Sequence, residues 1–361
     1  MPPSDARLAL IHDWVSRGLG LSPQRIEPAS SDASFRRYFR IFAGRAPTDA
    51  SGDPGRTFIV MDAPPGKEDV RPYLKVSGLL EGLGVHVPHV HETDVEQGLL
   101  LLEDLGSTLY LARLNAGDDA EALYGDALDA LADIQIKGRD AAAELPPYDR
   151  EPLMREMGLM PEWFSSRHLG LTLSASDQAV VAGAFEFLTV EAMRQPQVFV
   201  HRDYHSRNLM VIRDRNPGVI DFQDALRGPI GYDLVSLLKD CYISWPRERV
   251  ERWVREYRAR LVARGGAAAG GLAGKDDAEF LRWFDLIGVQ RHIKILGIFA
   301  RLWYRDGKPG YLADLPLTLE YVRDTCTRYA ELAQLSRIVE QGFVPELPRA
   351  NARALAEAKP A

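Results

Sequence analysis

Between Val198 and Ile212 the chain reads VFVHRDYHSRNLMVI, two apolar runs flanking a dense polar knot. The knot places His201, Arg202, Asp203, His205, Ser206, Arg207 and Asn208 within eight positions, and Asp221 follows in GVIDFQDA. Three readings suit residues of these types at this spacing. Alternating His201, Asp203 and His205 offer the nitrogen and oxygen donors that zinc takes, although the other histidine-rich stretch, HVPHVH at 86–91, has no carboxylate among its histidines. Asp203, Asn208 and Asp221 suit phosphoryl transfer, which needs a carboxylate to orient an attacking hydroxyl and accept its proton. It also needs hard oxygen donors to hold Mg²⁺ on nucleotide phosphates. A polar turn that satisfies only its own hydrogen bonds is the third reading.

The elements that must position this set favour the second. His201-Arg202-Asp203 with four residues before Asn208 fits the H-R-D-x-x-x-x-N spacing of a phosphotransfer loop. A strand, NLMVI, leads away from Asn208, and a turn at RDRNPG returns through VID. Such a hairpin brings Asp221 back beside Asn208. QVFVH, NLMVI and GVID are the strong strand candidates after position 105, where helical periodicity otherwise dominates: 119–136, 175–193, 278–304 and 315–338 all repeat apolar residues at three and four. The first part of the chain has another texture. An amphipathic helix over 4–19 precedes strand-like FRRYFRIF and RTFIVMDA, then a helix over 68–83, then PHVHETD and GLLLLED. The chain is therefore expected to be α+β and bilobal, a small sheet-rich lobe over 1–104 and a larger, mostly helical one over 105–361. The Gly/Ala-rich stretch 262–277 reads as a flexible surface loop or a lid, and the tail from about 345 as frayed.

The bulk numbers bound the function. At 361 residues the chain exceeds one compact core and calls for two domains or lobes around a cleft. It is 46% hydrophobic and 26% charged, with a net charge of -7, which excludes a broad nucleic-acid surface while leaving room for a local basic pocket. Cys241 and Cys326 give no disulfide framework and fit a reducing cytoplasm. MPPSDARLALIHDWV is not a signal peptide, and no run approaches the 18 apolar residues of a membrane span. Nothing in the sequence points to an obligate protein partner.

HRDYHSRNLMV and GVIDFQDALRGPIGYDLVSLLKD resemble the core of the aminoglycoside phosphotransferase/choline kinase family, small-molecule relatives of protein kinases. SSDASFRRYFRI, FIVMDAPP, LLLEDLG and QRHIKILGIFARLWYRDGKPGYLADLP extend the likeness to the bacterial N-acetylmuramate/N-acetylglucosamine 1-kinases of cell-wall recycling. The resemblance implies a protein-kinase-like fold that binds ATP and Mg²⁺ and phosphorylates the anomeric hydroxyl of an amino sugar to the α-1-phosphate. Kinases for another sugar, choline or an aminoglycoside, and a nucleotide-binding pseudokinase, stay open beside it.

Carried over residue by residue, the resemblance makes Asp203 the base, with His201 bracing its loop, and Asn208 and Asp221 the metal ligands. Ser31, Asp32, Ala33 and Ser34 form the turn over the phosphates, in place of a G-x-G-x-x-G loop. The lysine expected on the next strand is missing, since FIVMDAPP puts Met61 and Asp62 there. Arg36, Arg37 and Arg40 are the candidate cations, with Arg36 and Arg40 on one face and Arg37 on the other; Lys67 and Lys75 are further possibilities. Glu103 and Leu105 mark the hinge that meets adenine through its main chain. Asp233 is expected to cap the helix of LVSLLKD. His205, Arg207, Asp224, Arg291 and Arg301 are the sugar candidates, although Arg291, His292, Lys294 and Arg301 also read as the solvated side of an amphipathic helix.

Overall fold

In a computed structural model of the chain, residues 6–31, 35–43, 56–265 and 269–357 are described. They pack as two compact units, Met1–Asp118 with Arg207–Asp224, and Asp119–Ser206 with Ala225–Ala361. Against the division expected at 104/105, the first unit extends past the sheet and takes in a second, discontinuous segment. That segment is the hairpin after Asn208, which hydrogen-bonds to the first unit's own loops: Val211 N–H donates to Thr108 O and Val219 N–H to His86 O, both at 2.8 Å.

The first unit is built on five antiparallel strands, β1 (Pro23–Ser31), β2 (Arg37–Ala43), β3 (Arg56–Asp62), β4 (Val90–Asp94) and β5 (Leu99–Glu103), in the order β1-β2-β3-β5-β4. Strand alternation sends Phe39 and Ile41, Phe58 and Val60, and Leu99 and Leu101 to one face. Ile11 and Val15 of the N-terminal helical segment, Ala6–Asp13 and Trp14–Gly18, cover them. β5 is flanked on both sides, and its run of four leucines is buried on both faces. β1 is not signalled by the sequence because it contains Pro23 and Pro28. As an edge strand it tolerates both, with register shifts beside each.

The second unit is helical apart from β6 (Gln197–Val200) and β9 (Leu226–Pro229), an antiparallel pair; β7 (Leu209–Met210) and β8 (Gly218–Val219) form the hairpin of the first unit. Its centre is the 28-residue helix Asp277–Tyr304. The expectation of one apolar stripe and one solvated side fails here. From Phe284 to Ala300 nearly every residue is buried, Arg291, His292 and Lys294 included, because other helices pack around it on several sides. Gly297 permits the closest of these approaches: a Cβ there would lie 2.6 Å from Leu159. Two further expectations are corrected. Residues 262–265 continue the helix Arg247–Gly265, and Ala269–Leu272 is helical again, with 266–268 outside the described residues. The tail is the helix Val344–Glu357, which buries Leu347, Ala350 and Ala354 at helical spacing. Among the described residues no helix is long and apolar enough to cross a membrane.

Candidate active site

Within the second unit, the loop after β6 is held by its neighbours before any ligand is considered. Asp233 lies in the first turn of the helix Gly231–Leu238, fully buried, and accepts the backbone N–H groups of His201 (2.7 Å) and Arg202 (2.9 Å). It does not cap its own helix, whose N-cap position is Ile230. Burial pushes the Asp233 carboxyl up to about 7 despite those two donors. Arg202 has φ +82°, a conformation that costs a non-glycine residue energy and persists only where surroundings impose it. Here the guanidinium donates to Glu156 at 2.5 Å. Glu156, on the helix Arg150–Met157, also takes Lys294 Nζ at 3.1 Å and the Tyr148 hydroxyl, and Lys294 donates to the Tyr232 hydroxyl at 3.0 Å.

Asp203 projects from this frame with its side chain 45% exposed. Its N–H donates to His201 Nδ1 at 3.3 Å, and its carbonyl accepts from His205 N–H at 3.0 Å. Arg291 Nη2 donates to Ser236 Oγ at 2.8 Å and stands 4.0 Å from Asp203 Oδ1. Desolvation works to raise the Asp203 carboxyl, but the field of Lys294, His205, Arg291 and Arg202 outweighs it and holds the group at about 2. A carboxylate so placed is ionised at neutral pH and accessible to a hydroxyl. His205 is buried edge-on to Tyr242, with ring centroids 5.3 Å apart, and burial lowers it to about 3, so it is neutral. Ser206 donates its hydroxyl to buried Asp240, which closes the loop on this side.

Within the first unit, the expected hairpin is present. β7 pairs with β8, Ile220 N–H donates to Asn208 O at 3.1 Å, and Asn208 Nδ2 donates to Asp221 Oδ2 at 3.1 Å. Asp221 has φ +65°, a second imposed conformation. Its other oxygen accepts from Gln223 Nε2 at 2.9 Å, and Arg36 Nη2 approaches it to 3.7 Å. The next residue, Phe222, is buried against Tyr73 of the helix Arg71–Gly82, with centroids 4.8 Å apart.

The remaining sequence candidates fall into different positions. Ser31 ends β1, while Asp32, Ala33 and Ser34 lie outside the described residues. The Glu103 N–H is already given to His89 O at 2.8 Å, and its carboxylate takes His86 Nε2 at 3.3 Å. Leu105 packs against Gly218, where a Cβ would come within 2.8 Å of its side chain. Arg207 and Asp224 are exposed, and Arg301 is partly exposed, with its Nε buried and unpartnered among the described residues. Arg291 is 3% exposed, with Nε and Nη1 sealed in, so the expected direct contact with a sugar gives way to an approach to Asp203. Glu156, Lys294, Ser236 and Gln223 were not singled out as site residues. Gln223 and Ser236 lie in GVIDFQDALRGPIGYDLVSLLKD and Lys294 in QRHIKILGIFARLWYRDGKPGYLADLP, whereas Glu156 lies outside every marked stretch.

The zinc reading does not survive this geometry. His201 turns its Nδ1 to the Asp203 N–H and His205 packs on Tyr242, and no three His, Cys, Asp or Glu side chains among the described residues group to hold a metal. Magnesium asks less of a protein. It takes one or two protein oxygens together with phosphates and waters, and the adjacent Asn208 and Asp221 are side chains that could offer them.

The profile of the phosphotransferase enzyme family matches residues 25–281. A Pseudomonas aeruginosa protein named N-acetylmuramate/N-acetylglucosamine kinase is 45% identical over 345 residues, 93% of this chain and 96% of that one. One of the same name from Neisseria meningitidis serogroup B is 44% identical over 85% of this chain and 87% of that one. Among solved structures, an ADP-bound aminoglycoside phosphotransferase superposes with a TM-score of 0.57 at 13% identity, covering 89% of this chain and 99% of that one. That likeness shows the fold, the α+β protein-kinase-like arrangement expected from the sequence.

Proposed function

The chain belongs to the phosphotransferase enzyme family, and on that premise we propose that it is a sugar 1-kinase. It transfers the γ-phosphoryl group of ATP to the anomeric hydroxyl of N-acetylmuramate and N-acetylglucosamine, giving the α-1-phosphate. The observation that carries this reading is the 45% identity, sustained through 93% of the chain, to a kinase named for those two sugars.

Asp203 orients the C1 hydroxyl and takes its proton as the oxygen bonds to phosphorus and the bond to ADP breaks. An anomeric hydroxyl is more acidic than an ordinary alcohol, so a carboxylate held low by Lys294 and Arg291 suffices as base. Asn208 and Asp221 would hold Mg²⁺, which when bound neutralises charge on the phosphates. His201 braces the loop through its ring nitrogen. With the Glu103 N–H committed to His89, the main chain at Leu105 is left as the adenine contact. Arg207, Asp224 and Arg301 remain the side chains for the sugar. Two buried free thiols, Cys241 and Cys326, support a reducing cytoplasmic setting.

The test is incubation with Mg-ATP and N-acetylmuramate, N-acetylglucosamine, choline or an aminoglycoside, with the phosphate located by NMR. Transfer to C1 of the two amino sugars is expected, and its loss in Asp203→Asn with ADP binding retained. Transfer to any other position, or near-normal turnover in Asp203→Asn, overturns the assignment.

A further inference from the structure

A phosphoryl donor with three or four negative charges needs a protein cation beside its metal, and the strand position expected to supply one carries Met61 and Asp62 instead. The structure sorts the three arginines that flank this gap. Arg37 reaches the buried Asp62 carboxylate through Nε (3.0 Å) and Nη2 (2.6 Å), and Arg7 donates to the same carboxylate from the other side. Arg40 forms a two-pronged pair with Asp104, at 2.6 and 2.9 Å, and donates to Gly106 O at 2.7 Å. Both are committed to structural carboxylates. Arg36 approaches a different carboxylate. Its side chain is 11% exposed, and Nη2 lies 3.7 Å from Oδ1 of Asp221, the carboxylate assigned to the metal.

The position of Arg36 is fixed from both sides. Phe35 N–H donates to Glu68 Oε1 at 3.1 Å, with Lys67 4.8 Å from the Phe35 ring, and Arg37 is tied to Asp62. Tyr73, packed at a tilt against Phe222, lies in the field of both Arg36 and Asp221, so the three groups share one neighbourhood.

We propose that Arg36 takes the place of the missing strand lysine and binds the β- and γ-phosphates of the nucleotide, using a planar fork where a lysine would offer a point charge. The inference rests on the kinase reading but not on the identity of the sugar. Asp62, in turn, is the anchor that keeps Arg37 out of that role.

Calorimetric titration of the full-length chain with ADP and AMP, each with Mg²⁺ and again in EDTA, tests this in Arg36→Met and Arg36→Lys. ADP affinity is expected to fall roughly 10- to 100-fold in Arg36→Met, the loss of charge-assisted hydrogen bonds, and by less in Arg36→Lys. AMP affinity should hold, and the ADP loss should persist in EDTA. Unchanged ADP binding overturns the proposal. So does an equal loss for AMP, which signals general disruption, or a loss seen only with Mg²⁺, which would mean that Arg36 acts through Asp221 alone. A wild-type chain that binds Mg-ADP yet phosphorylates neither amino sugar defeats the sugar assignment and leaves Arg36 standing; one that binds no ADP defeats both.

Discussion

Replacing Glu156 by glutamine removes one charge and leaves two buried cations facing an amide. Arg202 and Lys294 have side chains 19% and 7% exposed, and Glu156 itself is 14% exposed, so water screens little of the change. Breaking a buried pair by deleting one partner costs about 3–5 kcal/mol, and because glutamine keeps an acceptor oxygen the lower end, about 3 kcal/mol, is expected. Lys294→Met leaves the Glu156–Arg202 pair and should cost less, about 1–3 kcal/mol. With both changes Lys294 no longer needs a counter-charge, so the double variant should be more stable than the sum of the two losses by about 1–2 kcal/mol. The readout is urea unfolding followed by tryptophan fluorescence. Five of the six tryptophans, Trp163, Trp245, Trp253, Trp283 and Trp303, lie in the second unit and Trp14 in the first, so most of the signal reports the unit that contains the pair. At a urea slope of about 2–3 kcal/mol/M, the midpoint for Glu156→Gln should fall by about 1 M or more. Because Glu156 also holds Arg202 in its left-handed conformation, turnover should drop at least about tenfold while ADP binding is kept. A midpoint unchanged within about 0.3 M, or strictly additive losses, would refute the view that this ion triad holds the loop.

Gly297→Ala should destabilise the second unit by about 2–3 kcal/mol or more, since the added methyl would meet the Leu159 backbone at 2.6 Å; a melting temperature within a degree of wild type would contradict that packing. Asp221→Asn should weaken Mg²⁺ binding to the ADP complex by about tenfold, read by magnesium titration, and an unchanged titration would remove Asp221 from the metal site. The pH profile separates two aspartates. Asp203, held at about 2, lies below the ordinary carboxylate value, so its charge and the stability it brings persist above pH ~4 and are lost only as pH falls towards 2. Asp233 lies above it, at about 7, and takes stability away as pH rises from about 4 to about 7. Asp203 should add no acid limb to kcat/KM near pH 7, whereas a limb that comes from Asp233 should fall there and shrink in Asp233→Asn; a limb near pH 7 that Asp233→Asn leaves unchanged would refute a role for the raised Asp233 carboxyl.

The candidate site was legible where its residues are close in sequence. Asp203, Asn208 and Asp221 lie on one strand-loop-hairpin, whose turn chemistry and apolar flanks are visible in a single window. The partners that hold the Asp203 loop were not, because each comes from a distant helix: Glu156 from Arg150–Met157, Asp233 and Ser236 from Gly231–Leu238, Arg291 and Lys294 from Asp277–Tyr304. Periodicity located that last helix within one residue of its start and at its end. It misassigned the charged side because a helix surrounded by others buries its cations against carboxylates and hydroxyls that no local pattern reveals. Asp233 stands at a helix start as its local pattern suggests, but instead of capping that helix it accepts N–H groups from another segment. β1 escaped because the local cost of proline outweighs, in a sequence reading, the tolerance of an edge.

The carboxylate at position 62 also limits how this chain can change. Asp62 is fully buried and shared by Arg7 and Arg37, so a single exchange to lysine would bury a third positive charge beside two others, at a cost of several kcal/mol. Positions 7, 37 and 62 are thus epistatic. A lineage with this acid between two guanidiniums cannot reach a strand lysine by exchanging Asp62 alone without cost, since both arginines then lose the carboxylate they share, whereas losing one arginine first leaves Asp62 paired with the other. The arrangement acts as a ratchet, and the three positions should covary as a set among related chains.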